Sequence, residues 1–522
     1  MPRERASSPD VAIRPMSVPG SGLTLPVMPS DERGRAAYVA AAVAGDLRAA
    51  PRLDGGSLWA TAARAHRLLH GDGDLDAAHR LLVDALDGGA VQDGGPEALA
   101  AALDTLLMVC RFADREALWS PYRALAAGHP AHVPAPPDPA GPDPIEPDPT
   151  GPDPTEPDPI GTVRTGWSLL DVDGVGRRGA ALRRVLDDGR PGAAVGPAIN
   201  AAVLLALDAF AAGRWDDTCR LAGQAQALCA SHGHEALAML ATAGPALVAA
   251  CRGDEAACQE QTSAMIGWAA PRGARLVHRR AVHARVLAAL GRGDAESAYH
   301  LAATITPPGA VEPEGTGRLL VMDLVEAAVR TQRRDEAAAH VRGARRAGVS
   351  GVSARSALLV AGAAALAEQG DGARSRYEEA LGAPGVEAWP FDVARVRLAY
   401  GEHLRRSRSM LEARLQLTTA LATFRRLGAD PWTARSESEL RAAGHRVHRA
   451  RGAASTALSH QERTVARLAA TGATNRQIGQ QLGLSPRTVG SHLTRVFQKM
   501  RVTSRAALGE ALRAAEPAAH QD

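Results

Sequence analysis

Between Pro137 and Pro159 the tripeptide Pro-Asp-Pro occurs five times, starting at Pro137, Pro142, Pro147, Pro152 and Pro157, with a period of five residues. Such a segment cannot pack: proline removes amide donors and favours polyproline II, and the repeated aspartates repel one another. About 23 residues at roughly 3.1 Å each make a semi-rigid acidic spacer about 70 Å long. The spacer splits the helical region into a smaller and a larger block. A weak calcium site is the alternative use of those aspartates.

Both blocks read as helix. Only 3% of residues are aromatic, alanine, leucine and arginine dominate, and alternating Val/Ile/Thr runs are few, which favours helix over strand. Helices of about 12 to 18 residues are separated by small-residue turns. Examples are His70-Gly71-Asp72-Gly73-Asp74, Gly213-Arg214-Trp215-Asp216-Asp217, Gly291-Arg292-Gly293-Asp294 and Gln369-Gly370-Asp371-Gly372. Helix pairs joined at such turns bury their faces on neighbouring pairs, as in tetratricopeptide-like solenoids; the irregular spacing makes this a degenerate array. We expect an all-α protein: an unstructured N-terminus over 1–30, a helical repeat block over 31–132, the linker over 133–161, a tetratricopeptide-like helical solenoid over 162–445, a linker over 446–457, a four-helix domain over 458–515 and a tail over 516–522.

Composition also removes function classes. Lys499 is the only lysine, so a Walker A loop, an aldimine-forming site or a receiver-type lysine cannot be built upstream of it. Gly174-Val175-Gly176-Arg177-Arg178-Gly179 matches the dinucleotide fingerprint letter for letter, but no strand before it and no βαβ unit after it can be read, and a turn explains its glycines equally well. His278 and His283, five apart, do not share a helical face, and no His-Glu-x-x-His occurs. Cys110, Cys219, Cys229, Cys251 and Cys258 include no Cys-x-x-Cys and read as buried free thiols. Trp215, Trp268 and Trp432 read as core. No catalytic residue, cofactor or metal is expected, and the chain reads as non-enzymatic. The proline-rich start lacks the apolar run of a secretory signal, and no uninterrupted apolar stretch reaches the length of a bilayer span; a cytoplasmic protein without membrane contact is expected.

The last sixty residues carry the densest helix signals. Ser459 and Glu462 form a capping box that opens a helix to about Ala470, with Val465, Leu468 and Ala469 on its apolar face. Gly472 stops it. Thr474 and Gln477 form a second capping box, opening a short helix whose Ile478 and Leu482 point inward. After a turn at Gly483-Leu484, Ser485-Pro486 supplies an N-cap and first residue for a third helix. Its Val489, Leu493, Val496 and Met500 recur at helical spacing, whereas Arg487, Thr488, Ser491, Thr494, Arg495 and Gln498 occupy the other side. That side suits a helix with its N-terminal turns in a DNA major groove and arginines on phosphates. Asn475 and Arg476, opening the second helix, are placed to meet backbone phosphates. Ser504 caps a fourth helix through about Ala515, whose Leu508, Ala511 and Leu512 offer an apolar face for pairing two copies.

From Leu458 to Leu508 the sequence resembles the LuxR-type helix-turn-helix: Thr474-Asn475 before the scaffold helix, Ser485-Pro486-Arg487-Thr488-Val489 and His492 in the recognition helix, and Lys499-Met500 followed by Val502. The resemblance adds His492 and Lys499 to the DNA-binding set. Two positions depart from the family: Gly490 stands where lysine or arginine is usual, costing roughly 1 kcal/mol of helix propensity relative to alanine, and Gln461 replaces a commoner arginine. Leu411 to Leu440, with Ala413-Arg414, Leu417, Phe424, Leu427-Gly428-Ala429 and Pro431-Trp432, resembles the last helices before the DNA-binding module in large LuxR-type regulators. Those proteins usually begin with an ATPase domain, for which no Gly-x-x-x-x-Gly-Lys is present here.

Charge agrees with this placement. Between Leu458 and Arg513 nine lysines or arginines face only Glu462 and Glu510, a net +7, whereas the whole chain carries +3. Basicity is concentrated where phosphates are met. The expected function is a bacterial transcriptional regulator that reads a roughly palindromic double-stranded DNA site as a homodimer, with the solenoid sensing an unknown effector or protein partner. The alternative is a solenoid scaffold whose terminal helices have lost DNA specificity, for which Gly490 is the strongest sequence argument.

Overall fold

The structure is a computed structural model that describes residues 30–47, 57–87, 91–127, 158–189, 194–313, 315–368, 372–444, 458, 460–482, 485–500, 502 and 504–515. The N-terminal 29 residues, most of the Pro-Asp-Pro spacer, the 446–457 linker, the 516–522 tail, Ser459 and the turns at Gln369-Gly370-Asp371 and Gly483-Leu484 lie outside the described residues. Every regular element among the described residues is helical. The chain forms two compact units, 1–439 and 440–522.

The last Pro-Asp-Pro is not spacer. Asp158 is an N-cap, its carboxylate accepting the amide hydrogens of Ile160 and Gly161 at 3.0 and 2.9 Å, and Pro159 is the first residue of helix Pro159–Leu170. Proline's fixed φ and missing donor suit that position, so the helix begins three residues before the 162 boundary read from composition.

The array is more regular than its sequence suggests. Gly213, Gly233, Gly253, Gly273 and Gly293, at intervals of 20 residues, all adopt left-handed backbone, with φ from 63° to 84°. At each, the amide after the glycine reaches five residues back: Arg214 to Ala209, His234 to Cys229, Asp254 to Ala249, Ala274 to Ala269 and Asp294 to Ala289. This is the Schellman ending, in which glycine takes the φ that a side chain resists and orphan carbonyls are satisfied. Asp254 and Asp294 then cap the next helix through the amides of Ala257 and Ser297. The same turn recurs at Gln332 and Arg408, both with φ 63°, where arginine and glutamine hide the signal from a reader counting glycines. Hairpins follow from these stops: Val195–Ala211 packs on Trp215–His232, Glu255–Ala269 on Arg275–Arg292, and Pro390–Arg406 on Met410–Leu427.

Three expectations need correction. Glu235–Arg252 is an 18-residue stretch long and apolar enough to cross a membrane, although 67% of it is buried within the array and it is divided at Thr242 into Glu235–Ala241 and Ala243–Arg252. Cys219 is exposed, unlike the other four free cysteines. Trp215 and Trp432 are buried core residues, but Trp268 is half-exposed with Arg272 over its ring at 5.1 Å.

Gly174–Gly179 contains no strand-to-helix turn: helix Pro159–Leu170 precedes it, a 3-10 turn spans Val175–Arg178, and helix Gly179–Gly189 follows. Without a strand ending at the loop the glycines cannot build a dinucleotide site.

Candidate nucleic-acid interface

The C-terminal unit contains helices His460–Ala470, Asn475–Leu482, Pro486–Met500 and Leu508–Ala515. Gly472, with φ 90°, ends the first, the Ala473 amide reaching back to Leu468. The second opens on a reciprocal capping box: Thr474 Oγ1 accepts the Gln477 amide at 3.3 Å, and Gln477 Oε1 accepts the Thr474 amide at 2.8 Å. The third opens on Ser485, whose Oγ accepts the Thr488 amide at 3.1 Å, with Pro486 as first residue. These stops and starts fix the short connection between the second and third helices.

One apolar core sets the angle of the third helix. Val465, Ala466 and Ala469 from the first helix, Ile478 from the second, and Val489, Leu493 and Val496 from the third are buried together, with Leu468, Leu482, Phe497 and Met500 packed around them. The opposite side of Pro486–Met500 therefore faces solvent: Arg487, Ser491, Thr494, Arg495 and Gln498 are exposed. Ser491 and Thr494 donate to the carbonyls of Arg487 and Gly490 at 3.2 and 3.0 Å, which holds their hydroxyls close to the helix with lone pairs outward. Arg476, Arg487 and Arg495 are exposed, and none hydrogen-bonds or pairs with a carboxylate among the described residues. Three guanidinium groups kept in water beside a row of hydroxyl and amide groups make a surface suited to phosphates and base edges.

The remaining candidates are otherwise engaged. Thr488 serves the cap, its Oγ1 lying 2.7 Å from Ser485 Oγ. Asn475 is half-buried, and its Oδ1 accepts from Arg505 at 3.2 Å while Arg505 also donates to the Ala473 carbonyl at 2.7 Å. Lys499 is tied at 2.5 Å to Glu462, whose side chain is 5% exposed. His492 is half-buried with Nδ1 enclosed and unpartnered; burial, and secondarily Arg495, hold its pKa below the usual histidine value. Sequence reasoning missed Arg505 as the tether of Asn475, and took Glu462 only as a capping residue when its carboxylate is the internal partner of the lone lysine.

The fourth helix also differs from expectation. Ser504 Oγ accepts the Ala507 amide at 3.3 Å within a turn, and the helix begins only at Leu508. Leu508 is fully buried and Leu512 packs against the same core, because this short helix needs its apolar face to close the domain over His460–Ala470. Leu508 is therefore unavailable to a second copy, and Ala511 and the half-exposed Leu512 are what remain.

Residues 456–510 match the family model of bacterial regulatory proteins, luxR family. The chain ends in a LuxR-type helix-turn-helix domain. The match spans about a tenth of the chain, and comparison of the chain with curated proteins gives no match. The LuxR-type domain supports a DNA-binding transcriptional regulator, and Asn475–Leu482 and Pro486–Met500 are the second and third helices of that domain. Gly490 lies within the third helix. A Cβ there would sit 3.6 Å from Asn475 Nδ2, an ordinary contact, so packing does not demand the glycine.

Proposed function

We propose that the recognition helix lies in the major groove of double-stranded DNA and that two copies of the chain bind a site of approximate twofold symmetry, the upstream array receiving an effector or protein partner that governs exposure or pairing of the LuxR-type domain. No catalytic step, cofactor or metal belongs to this reading, which takes the protein to act in the cytoplasm without membrane contact. The observation that carries it is the exposed, unpaired row of Arg487, Ser491, Thr494 and Arg495 opposite a buried Val489-Leu493-Val496 stripe. Arg487 and Arg495 are assigned to phosphates and Ser491 and Thr494 to base edges. Ala511 and Leu512 are the residues left for pairing.

Selection of bound sequences from a random DNA pool by the full-length protein, at two salt concentrations, tests this. Enrichment of one inverted repeat is expected, with binding that weakens linearly in log salt at about 0.9 per neutralised phosphate. Salt-sensitive retention without a motif would support the scaffold reading, which Gly490 favours by leaving an unfilled position on the DNA-facing helix.

A further inference from the structure

The helical array holds a half-open cavity of about 290 Å³. Its polar wall is cationic: five arginines (Arg177, Arg214, Arg280, Arg318 and Arg355) line it against two aspartates, Asp173 and Asp208. Most of these charges are already matched. Arg214 pairs with Asp208 at 3.0 Å, Arg318 with Asp173 at 2.6 Å, and Arg355 with Asp392 at 2.7 Å and Asp173 at 3.4 Å. Burial pushes the Asp173 carboxyl up, and Arg318 and Arg355 outweigh it, leaving it ionised.

Arg280 is different. It lines the cavity, its Nε is enclosed with no hydrogen-bond partner, and no carboxylate pairs with it among the described residues. Burial, then the neighbouring Arg318 and Arg355, pull its pKa down to about 10, so it stays charged at neutral pH. Two further polar atoms on the same wall lack partners. Arg318, 2% exposed, has an unpartnered Nε donor, whereas neutral His283, 4% exposed, turns Nε2 to Asp323 at 3.5 Å and leaves Nδ1 as an acceptor for a hydroxyl or amide hydrogen of the ligand. A half-buried guanidinium that faces a cavity without an acceptor of its own can hold an oxyanion through paired, charge-assisted hydrogen bonds. The rest of the wall includes Leu207, Phe210, Leu247 and Leu319, which suits an apolar body. The glycine-rich Gly174–Gly176 segment and exposed Arg177 also border this cavity, a use of that segment unrelated to dinucleotides.

We propose that this cavity binds a small organic anion, its carboxylate or phosphate oxygens on the Arg280 guanidinium and its apolar part against Phe210 and Leu247. Such an anion is the effector class of the array, a conclusion that rests on reading the array as the receiving part of the regulator.

The test is calorimetric titration of the full-length protein with benzoate, phenyl phosphate and inorganic phosphate, against neutral benzamide, with the unfolding midpoint followed in parallel. At least one organic anion is expected to bind and raise the midpoint while benzamide does neither, and Arg280→Met is expected to weaken that binding about tenfold or more. Because Arg280 has no carboxylate partner among the described residues, Arg280→Met should leave the ligand-free midpoint equal to or above that of the wild type; a purely structural arginine would lower it. Arg280→Gln serves if the methionine variant does not fold. Absence of anion binding at millimolar concentration, binding of inorganic phosphate alone, or equal affinity in both Arg280 variants would overturn the site. DNA selection by the same wild-type preparation separates the two conclusions: a DNA motif without anion binding sinks this inference alone, and anion binding without DNA binding sinks the regulator reading alone.

Discussion

The two units of this protein treat charge in opposite ways. In the LuxR-type domain the core is apolar and Arg476, Arg487 and Arg495 stay in water, whereas Lys499 is tied to Glu462 and Arg505 to Asn475. In the helical array, carboxylates and guanidinium groups go inside. Asp323, 0% exposed, pairs with Arg395 at 2.6 Å. Arg395 reaches on to Glu326, and Arg435 bridges Glu326 and Glu402 at 2.6 Å each. Burial opposes ionisation of Asp323 and Glu326, but their arginine partners outweigh it and hold both pKa values below the usual carboxylate range. Alanine-rich helices could slide along one another with little loss of apolar contact; directional ion pairs between helices far apart in sequence specify one register, a role buried charges serve at some cost in stability. The small domain gets its register from shape and caps, and keeps its charges for DNA.

The largest expected effect breaks that interior. Arg395→Met leaves Asp323 and Glu326 short of a partner and should destabilise the array by about 3–5 kcal/mol, measured by urea unfolding, while Arg487→Ala in the recognition helix should stay within about 0.5 kcal/mol. Similar losses from both would show that the contrast is wrong.

Next comes a pH response concentrated in the array. His66, His70 and His234 cluster with ring centroids 4.5 to 6.3 Å apart. Burial lowers all three, with neighbouring histidine charges adding to it: His66 to about 3, His234 to about 4 despite donating to the Gly45 carbonyl at 2.7 Å, and His70 well below the usual value. Because the folded values are depressed, the unfolded chain takes up protons first as pH falls. Stability is fully present above about pH 6.5 and is lost as pH drops toward 4, by about 1.4 kcal/mol per histidine at pH 5.5. The paired carboxylates respond only below about pH 4.5. A flat denaturation midpoint between pH 7.5 and 5.5 would contradict the buried cluster.

DNA binding sharpens the comparison from the other side. Arg487→Ala or Arg495→Ala should weaken binding across all sequences and reduce the salt slope by about one. Lys499→Met should lower domain stability through Glu462, with a smaller effect on the salt slope; the reverse pattern would make Lys499 a phosphate contact. The smallest effect is expected at Gly490, where Gly490→Ala should raise domain stability by about 0.5–1 kcal/mol, read from its thermal midpoint.

Local signals made much of the small domain legible. Thr474 with Gln477, Gly472, and Ser485-Pro486 are rules about adjacent backbone amides, and each ends or starts a helix where it stands. The array was legible as helix but not as a regular array, because two of its stops use Gln332 and Arg408 in place of glycine. Its interior was less legible still, since an arginine on a helix reads as solvated. Arg395 did leave a trace: it shares a face with the buried Phe391 and Leu398, where a leucine is the ordinary occupant. Leu508 misled for the opposite reason, an apolar face being equally suited to a partner and to its own core.

By itself, then, the sequence determined the helical class, the caps and stops, the LuxR-type domain and its exposed arginine row, because these depend on contacts within one or two turns. Only the tertiary structure decided which cations are free. Arg505 and Lys499 are tied down by groups 30 and 37 residues away, while Arg280 is left lining a cavity. Coulomb interactions and desolvation depend on distance and enclosure in space, which the order of residues does not record.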